Sequence, residues 1–235
     1  MNHPNRILYC ILVLLMISLT NPLSASAKSD DAQGLHAESD SIQFFRGLSV
    51  SYDIAGTIMR MVSDYGQYEA ALRCNLKDRY FPILELGIGS ASHSDDVVTG
   101  ISAKTTAPYG RIGCDFNIAK NKHDNYRVMI GARYAFTSFK QEAEGNIPDP
   151  YWGGKVPYTV NTSCNYHWME LLFSVDAKIA GPVRLGWSFR YRKKLSASDT
   201  GDANLWYVPG YGKEGNVLGG TFNVTLELGK KNRKL

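Results

Sequence analysis

Three groups of residues in this chain are of types that could do chemistry. The first is His93-Ser94-Asp95-Asp96, where histidine, serine and acid stand together. A serine nucleophile and its histidine base must converge in space, and neighbouring side chains point apart, so this run reads as a polar loop. The second is the cysteines: Cys10, Cys74, Cys114 and Cys164. No Cys-x-x-Cys occurs, so a metal site is not expected. Cys10 lies in the leading apolar run, and the odd number left cannot pair completely within one chain. No disulfide is expected. His36, His123 and His167 have no partner at ligand spacing. No catalytic, cofactor-binding or metal-binding residue is expected, and no cofactor.

The third group is the largest. Arginines and carboxylates recur in one phase of a period-two alternation, the spacing of a strand with two unlike faces. Glu69 and Arg73 alternate with Tyr68, Ala70, Leu72 and Cys74. Glu85 alternates with Leu84 and Leu86. Arg111 and Asp115 oppose Ile112, Cys114, Phe116 and Ile118. Arg127 and Arg133 oppose Val128, Ile130, Ala132, Tyr134 and Phe136. Glu170, Asp176 and Lys178 oppose Leu171, Phe173, Val175 and Ile179. Arg184, Arg190 and Arg192 oppose Leu185, Trp187, Phe189 and Tyr191. Glu227 opposes Leu226 and Leu228, and Asp53 opposes Tyr52 and Ile54. Eight such segments occur and nothing comparable repeats at 3.6 residues, so a helical domain is not expected.

The connections sort by length. Lys77 to Arg79, Asn121 to Asn125 and Ala180-Gly181-Pro182 are tight turns. Residues 57–66, 90–107, 140–165 and 195–216 read as longer loops. Short turns on one side and long loops on the other are the layout of membrane barrels. The ends fit export. Arg6, the apolar run Ile7–Leu19 and the small residues Ala25-Ser26-Ala27 read as a cleaved signal peptide over 1–27. Residues 28–44 read as a flexible lead-in, 45–229 as the barrel and 230–235 as a basic tail. No run of 18 apolar residues follows the signal.

The composition of the polar face decides which face points out. It carries seven arginines (Arg73, Arg111, Arg127, Arg133, Arg184, Arg190 and Arg192) with matching acids, and Lys178 is its one lysine. The other thirteen of the chain's fourteen lysines fall in predicted loops, turns, termini or the signal. A water-exposed face uses lysine freely. A narrow filled lumen favours planar guanidinium groups that satisfy several acceptors, and eight strands leave room inside only for side chains. The expectation is a lumen network of Glu69, Arg73, Glu85, Arg111, Asp115, Arg127, Arg133, Glu170, Asp176, Arg184, Arg190, Arg192 and Glu227. The apolar face would meet lipid, with Tyr68, Tyr80, Tyr109, Tyr126, Tyr134, Trp168 and Tyr191 at the interfaces.

On this pattern over about 45–229 the chain resembles the small eight-stranded outer-membrane barrels of the OmpA/OmpX kind. It is also similar to a family of short Gram-negative barrels described as a domain of unknown function. It departs from them at the end: Phe222–Leu228 reads as the last strand, but a basic tail follows instead of a terminal aromatic residue. The resemblance implies an all-β, eight-stranded antiparallel up-and-down transmembrane barrel in the cell outer membrane of a Gram-negative bacterium, with outer-membrane lipid as partner. The small, scattered net charge of +4 does not call for nucleic acid. Two aromatic loop segments, 145–158 and 207–212, with Trp206 beside the second, offer Tyr151, Trp152, Tyr158, Trp206, Tyr207 and Tyr211 as contacts to an extracellular protein or glycan, or fold over the barrel mouth. The expected role is structural or interaction-based and not enzymatic. The alternatives are a lipid-modifying barrel enzyme and a soluble secreted ligand-binding barrel.

Overall fold

The structure is a computed structural model that describes residues 44–93, 101–148, 155–199, 206–213 and 215–228. The expected signal peptide and most of the lead-in, Ser94–Asp96, Tyr151, Trp152 and the basic tail lie outside the described residues.

Eight long antiparallel strands close into a barrel. They are β1 (Phe45–Asp53), β2 (Tyr65–Leu76), β3 (Tyr80–His93), β4 (Ile101–Asn117), β5 (Tyr126–Pro148), β6 (Lys155–Ala180), β7 (Val183–Asp199) and β10 (Leu218–Leu228). Each pairs with its neighbour in sequence, and β10 closes on β1 from Leu48↔Leu228 to Asp53↔Asn223. Two short strands, β8 (Tyr207–Val208) and β9 (Gly212–Lys213), form a small hairpin between β7 and β10. A nine-residue helix, α1 (Ile54–Val62), joins β1 to β2.

Successive strand residues face opposite sides of the sheet, and here the charged phase points inward. Thr225 is 5% exposed and Leu226 46%. Glu170 is 0% exposed and Leu171 58%. Trp187 and Phe189 are exposed at 63% and 65%, while Ser188 between them and Arg190 after them are buried. Every barrel strand except β2 and β4 carries at least three exposed large apolar residues; β2 contributes Tyr68 and Leu72, and β4 Ile112 and Phe116. The apolar surface thus forms an outward belt around the barrel, and the polar side chains form its core.

The tight turns gather at the end that also holds Phe45 and Leu228. At the β2–β3 turn, Lys77 and Asp78 both have positive φ, and the Arg79 N–H donates to the Leu76 carbonyl at 3.1 Å. That is the mirror-image turn whose twist suits a hairpin. Gly181, with φ +51°, turns β6 into β7.

The opposite end departs from the sequence reading. Residues 90–107 and 140–165 were expected as loops, yet β3, β4, β5 and β6 run deep into them, and β5 and β6 pair as far as Pro148↔Lys155. These extensions carry Thr, Ser, Lys, Glu and Asn on their outer face, so they lack the apolar alternation that marks a strand beside a greasy surface. The segment 57–66 is largely α1 instead of a loop, and Ile54 starts that helix instead of ending β1. Gly56 packs where a side chain would clash, since a Cβ there would lie 2.6 Å from Asp53 Oδ2. Ile58, Met59, Met61 and Val62 remain exposed. Several lysines expected in loops lie on strand extensions: Lys104, Lys140 and Lys193 face outward, while Lys194, in the phase of Arg192, lies 5.1 Å over the buried Tyr166 ring.

Candidate functional site

The interior is one connected system of ion pairs. Near the tight turns, Arg127 reaches Glu227 at 2.8 Å and Glu227 lies 3.6 Å from Arg184. Arg184 holds Asp176 at 2.6 Å, and Asp176 lies 3.7 Å from Arg73. Arg73 then reaches Asp115 at 3.2 Å, which Arg133 clamps with two nitrogens at 2.7 and 2.9 Å. Arg133 also reaches Glu85 at 3.2 Å. Arg190 binds three carboxylates at once: Glu85 at 2.9 Å, Glu69 at 3.1 Å and Glu170 at 3.2 Å. Arg111 contacts the same three acids, Glu69, Glu85 and Glu170. Arg192 lies 3.7 Å from Glu170. All thirteen side chains expected in the lumen therefore lie in one network. Arginine makes this possible because one planar fork serves several acceptors, which a lysine ammonium on a flexible stem does less well.

The network leaves almost no space. An internal cavity of about 20 Å³ lies among Arg73, Glu85, Asp176 and Arg190, about the room one water needs.

Above the charged layers sits an aromatic layer that the sequence reading misassigned. Tyr109 and Trp168 were expected in the outer girdle. Both point inward, 3% and 0% exposed, because each shares the phase of a lumen charge, Arg111 and Glu170 respectively. Their polar ends join the network: the Tyr109 hydroxyl donates to Glu69 at 2.6 Å and the Trp168 indole N–H to Glu170 at 2.7 Å. Tyr166, Phe139, Ala107, Ala135 and Cys164 complete the layer. Cys164 was expected in a loop but lies on β6, and no disulfide joins Cys74, Cys114 or Cys164.

The β8–β9 hairpin closes this layer from the mouth. Val208 and Tyr211 enter the aromatic cluster, and Tyr211 packs 5.2 Å from the Tyr166 ring and 5.8 Å from Trp168. Tyr207, also buried, donates to the Gly66 carbonyl at 3.3 Å, and burial pushes its hydroxyl up to about 12. Arg111 donates to the Gly210 carbonyl at 2.6 Å and Arg192 to the Tyr211 carbonyl. Gly210 is required here: its φ is +82°, and a Cβ would lie 2.5 Å from the Tyr109 ring. Tyr207 and Tyr211 are therefore mouth residues turned inward, and as outward contacts they are corrected. Trp206 is half-buried beside Tyr65 and Tyr207. The Tyr158 backbone lies on β6 opposite Gly145.

The tight-turn end carries a second cluster. Asp78 meets His123 Nδ1 at 2.7 Å, Arg46 at 3.2 Å and the Asn75 amide at 2.6 Å. Burial alone would raise this carboxyl. The hydrogen bonds from Asn75 and His123 and the charges of Arg46 and Arg127 outweigh it and hold Asp78 below its ordinary value. His123 thus has a hydrogen-bond partner in Asp78. Among the described residues no group of three His, Cys, Asp or Glu is placed to hold a metal ion.

Residues 6–228 match a family described as a domain of unknown function, DUF6048. The chain belongs to the DUF6048 family. That meets the expectation of a domain-of-unknown-function family, whereas kinship of this DUF6048 barrel with the OmpA/OmpX kind is not established. No curated protein gives a significant match. Among solved structures, the crystal structure of Acinetobacter baumannii CarO2 is similar to the DUF6048 barrel, with a TM-score of 0.40 and 12% sequence identity. The similarity covers 78% of this chain and 98% of that one.

Proposed function

We propose that this chain is exported by a cleaved signal peptide and inserted in the outer membrane of a Gram-negative bacterium. There it acts as a closed barrel whose role is structural or interaction-based, without catalysis. One observation carries the reading: the barrel is inside-out relative to a soluble one. Leucine, isoleucine, phenylalanine and tryptophan face outward around the wall, and the arginine–carboxylate network fills the interior. A soluble ligand-binding barrel has the opposite sense, with an apolar interior and a solvated wall. An exposed belt this extensive needs a partner, and hydrocarbon suits one that encircles the molecule.

The strand lengths support the same placement. A tilted strand crosses the hydrocarbon with about 9–11 residues. β1, β2 and β10 have 9, 12 and 11 residues, while β5 and β6 have 23 and 26. With the tight turns on the periplasmic side, the surplus of β5 and β6 stands outside the cell. That paired extension, whose two strands are joined in sequence through Tyr151 and Trp152, is the surface through which an extracellular protein or glycan would be met. The ion-pair layers and the mouth hairpin argue for a plug over a channel.

Fractionation tests the reading. The mature protein should sediment with outer membrane, and its unboiled form should migrate faster than its boiled form in gel electrophoresis. In vesicles, a lipid-phase quencher should dim Trp187. Recovery in the soluble periplasm, or a Trp187 shielded from the quencher, would overturn the membrane assignment.

A further inference from the structure

Two ladders of the barrel wall are interrupted without a change of register: β2–β3 skips Cys74 and Asn75 opposite Pro82 and Phe81, and β4–β5 has the longer gap. The β4–β5 ladder runs from Ile101↔Gly145 to Thr105↔Gln141 and resumes at Tyr109↔Thr137. The register is the same on both sides, so no inserted residue explains the break. Thr106, Ala107 and Pro108 stand opposite Ser138, Phe139 and Lys140 without pairing. The outer flanks are intact: β3 pairs with β4 through Ile88↔Pro108 to Ser90↔Thr106, and β5 with β6 through Ser138↔Asn165 to Lys140↔Ser163.

Local chemistry accounts for the opening. In an antiparallel strand a residue's N–H and C=O point to the same neighbour. The Pro108 carbonyl accepts the Thr137 hydroxyl at 2.8 Å, and the Lys140 carbonyl accepts the Thr105 hydroxyl at 3.1 Å. Pro108 and Lys140 therefore face the seam, and Pro108 has no N–H to give it. Two threonine hydroxyls hold the lips where a ladder would otherwise run.

A cavity of about 530 Å³ lies at the seam, within the range of sites for small ligands. Its lining takes exposed residues of the outer face, Thr106, Pro108 and Lys140, and has the buried Ala107 and Phe139 at its floor, so it is a groove open to the outside of the wall. Ala107 and Phe139 belong to the apolar layer under the mouth hairpin. On β5 the outward residue below the seam is Phe136 of the belt, and Lys140 and Glu142 lie toward the mouth. The opening thus sits where the apolar belt gives way to charge.

We propose that this seam binds one acyl chain of an anionic, phosphate-bearing lipid from the surrounding leaflet, with the lipid phosphate on Lys140 and Lys104. The proposal rests on the outer-membrane reading above. Ala107, Pro108 and Phe139 give the chain an apolar wall that a free anion would not use. Glu142 also lines the cavity and stands opposite Lys104 in register. Lys140 stands between Thr106 and Ser163, with no acid opposite, so the phosphate rests chiefly on Lys140 and Lys104 supports it.

The test uses the full mature protein folded into vesicles of equal parts phosphatidylglycerol and phosphatidylcholine, then transferred to detergent for native mass spectrometry. One phosphatidylglycerol should remain on each barrel in preference to phosphatidylcholine. Lys140→Gln should lower that preference about fivefold, the effect of one basic residue at an anionic surface. Lys193→Gln, an outward lysine at the mouth end of β7, should leave it unchanged. Pro108→Val restores an N–H to the seam and should reduce retention of both lipids. Each variant is checked for the faster migration of its unboiled form, so that a folded barrel is what is compared. Equal retention of the two lipids, equal effects of Lys140→Gln and Lys193→Gln, or unchanged retention in folded Pro108→Val would overturn the proposal while the membrane reading stands. A wild-type protein that fails to insert would overturn both.

Discussion

Replacing Glu85 with glutamine probes the interior most directly. Glu85 is buried and lies within 3.3 Å of three guanidinium groups, those of Arg111, Arg133 and Arg190. Glutamine keeps the size and one acceptor oxygen but removes the charge, leaving seven buried or nearly buried arginines with one acid fewer. Removing one partner of a buried ion pair costs about 3–5 kcal/mol, because the other charge stays desolvated. Each arginine keeps another carboxylate here: Arg133 keeps Asp115, and Arg111 and Arg190 keep Glu69 and Glu170. The loss should therefore fall at the lower end, about 3 kcal/mol, or roughly a hundredfold in the unfolding constant. Glu227 supplies the internal control. Its side chain is 24% exposed, so Glu227→Gln should cost no more than ~1 kcal/mol, as for solvent-screened pairs. The assay is reversible urea unfolding of the barrel in vesicles, followed by the shift of tryptophan emission. Adding Arg190→Met to Glu85→Gln should cost less than the sum of the two single changes, since the pair shares one network. If Glu85→Gln and Glu227→Gln cost the same within ~0.5 kcal/mol, the buried network is not what holds the barrel closed.

Three further outcomes follow from the geometry. Leu226→Arg should cost about 2–4 kcal/mol of stability in lipid, whereas Thr225→Arg, pointing at the acids of the lumen, should insert more readily; the reverse order in a folding assay would place the wrong face outward. Because Asp78 is held below its ordinary value, it stabilises the folded state above the usual carboxylate range and loses that contribution as pH falls through its lowered value; Asp78→Asn should remove this part of the acid sensitivity of unfolding, and an unaltered pH profile would contradict the linkage. Gly210→Val should lift the mouth hairpin off Tyr109 and expose Tyr211 to chemical labelling. Planar bilayer currents should remain small in that variant as in the wild type because the arginine layers lie beneath, and steady porin-like conductance in either would show the lumen to be open.

The barrel strands and the sense of their two faces were legible because period two is an unambiguous signal wherever one face is apolar. Where the outer face turned polar the signal vanished, so Lys140 to Gly145 read as loop although the backbone continues in the ladder. Helix α1 was missed because its nine residues span too few turns for a 3.6-residue period to stand out. Tyr109 and Trp168 were assigned by residue type to an interfacial girdle, although parity with Arg111 and Glu170 already put them inside. The lumen charges could be named from their phase, but their partners could not: Arg190 meets Glu69 across 121 residues of sequence, a juxtaposition set by closure alone. Nothing in Tyr207–Gly212 distinguished a hairpin folded into the mouth from one held out in solvent. The Asp78–His123 pair was hidden likewise, because its members sit in two turns brought together by strand register.

The pairing of the first barrel strand with the last has a consequence for assembly. Until β10 meets β1, the chain is an open sheet with two unsatisfied edges, and contacts such as Arg190–Glu69 await the approach of distant segments. Closing so long a loop is entropically slow, and an exposed edge invites pairing with other chains. The charged interior then acts as a proofreading device for register. A slip of β10 by one residue would exchange Thr225 and Glu227 for Leu226 and Leu228, turning leucines toward the arginines and a carboxylate toward the outside. Both errors are costly at once, so the misregistered sheet gains little by closing and stays free to reopen.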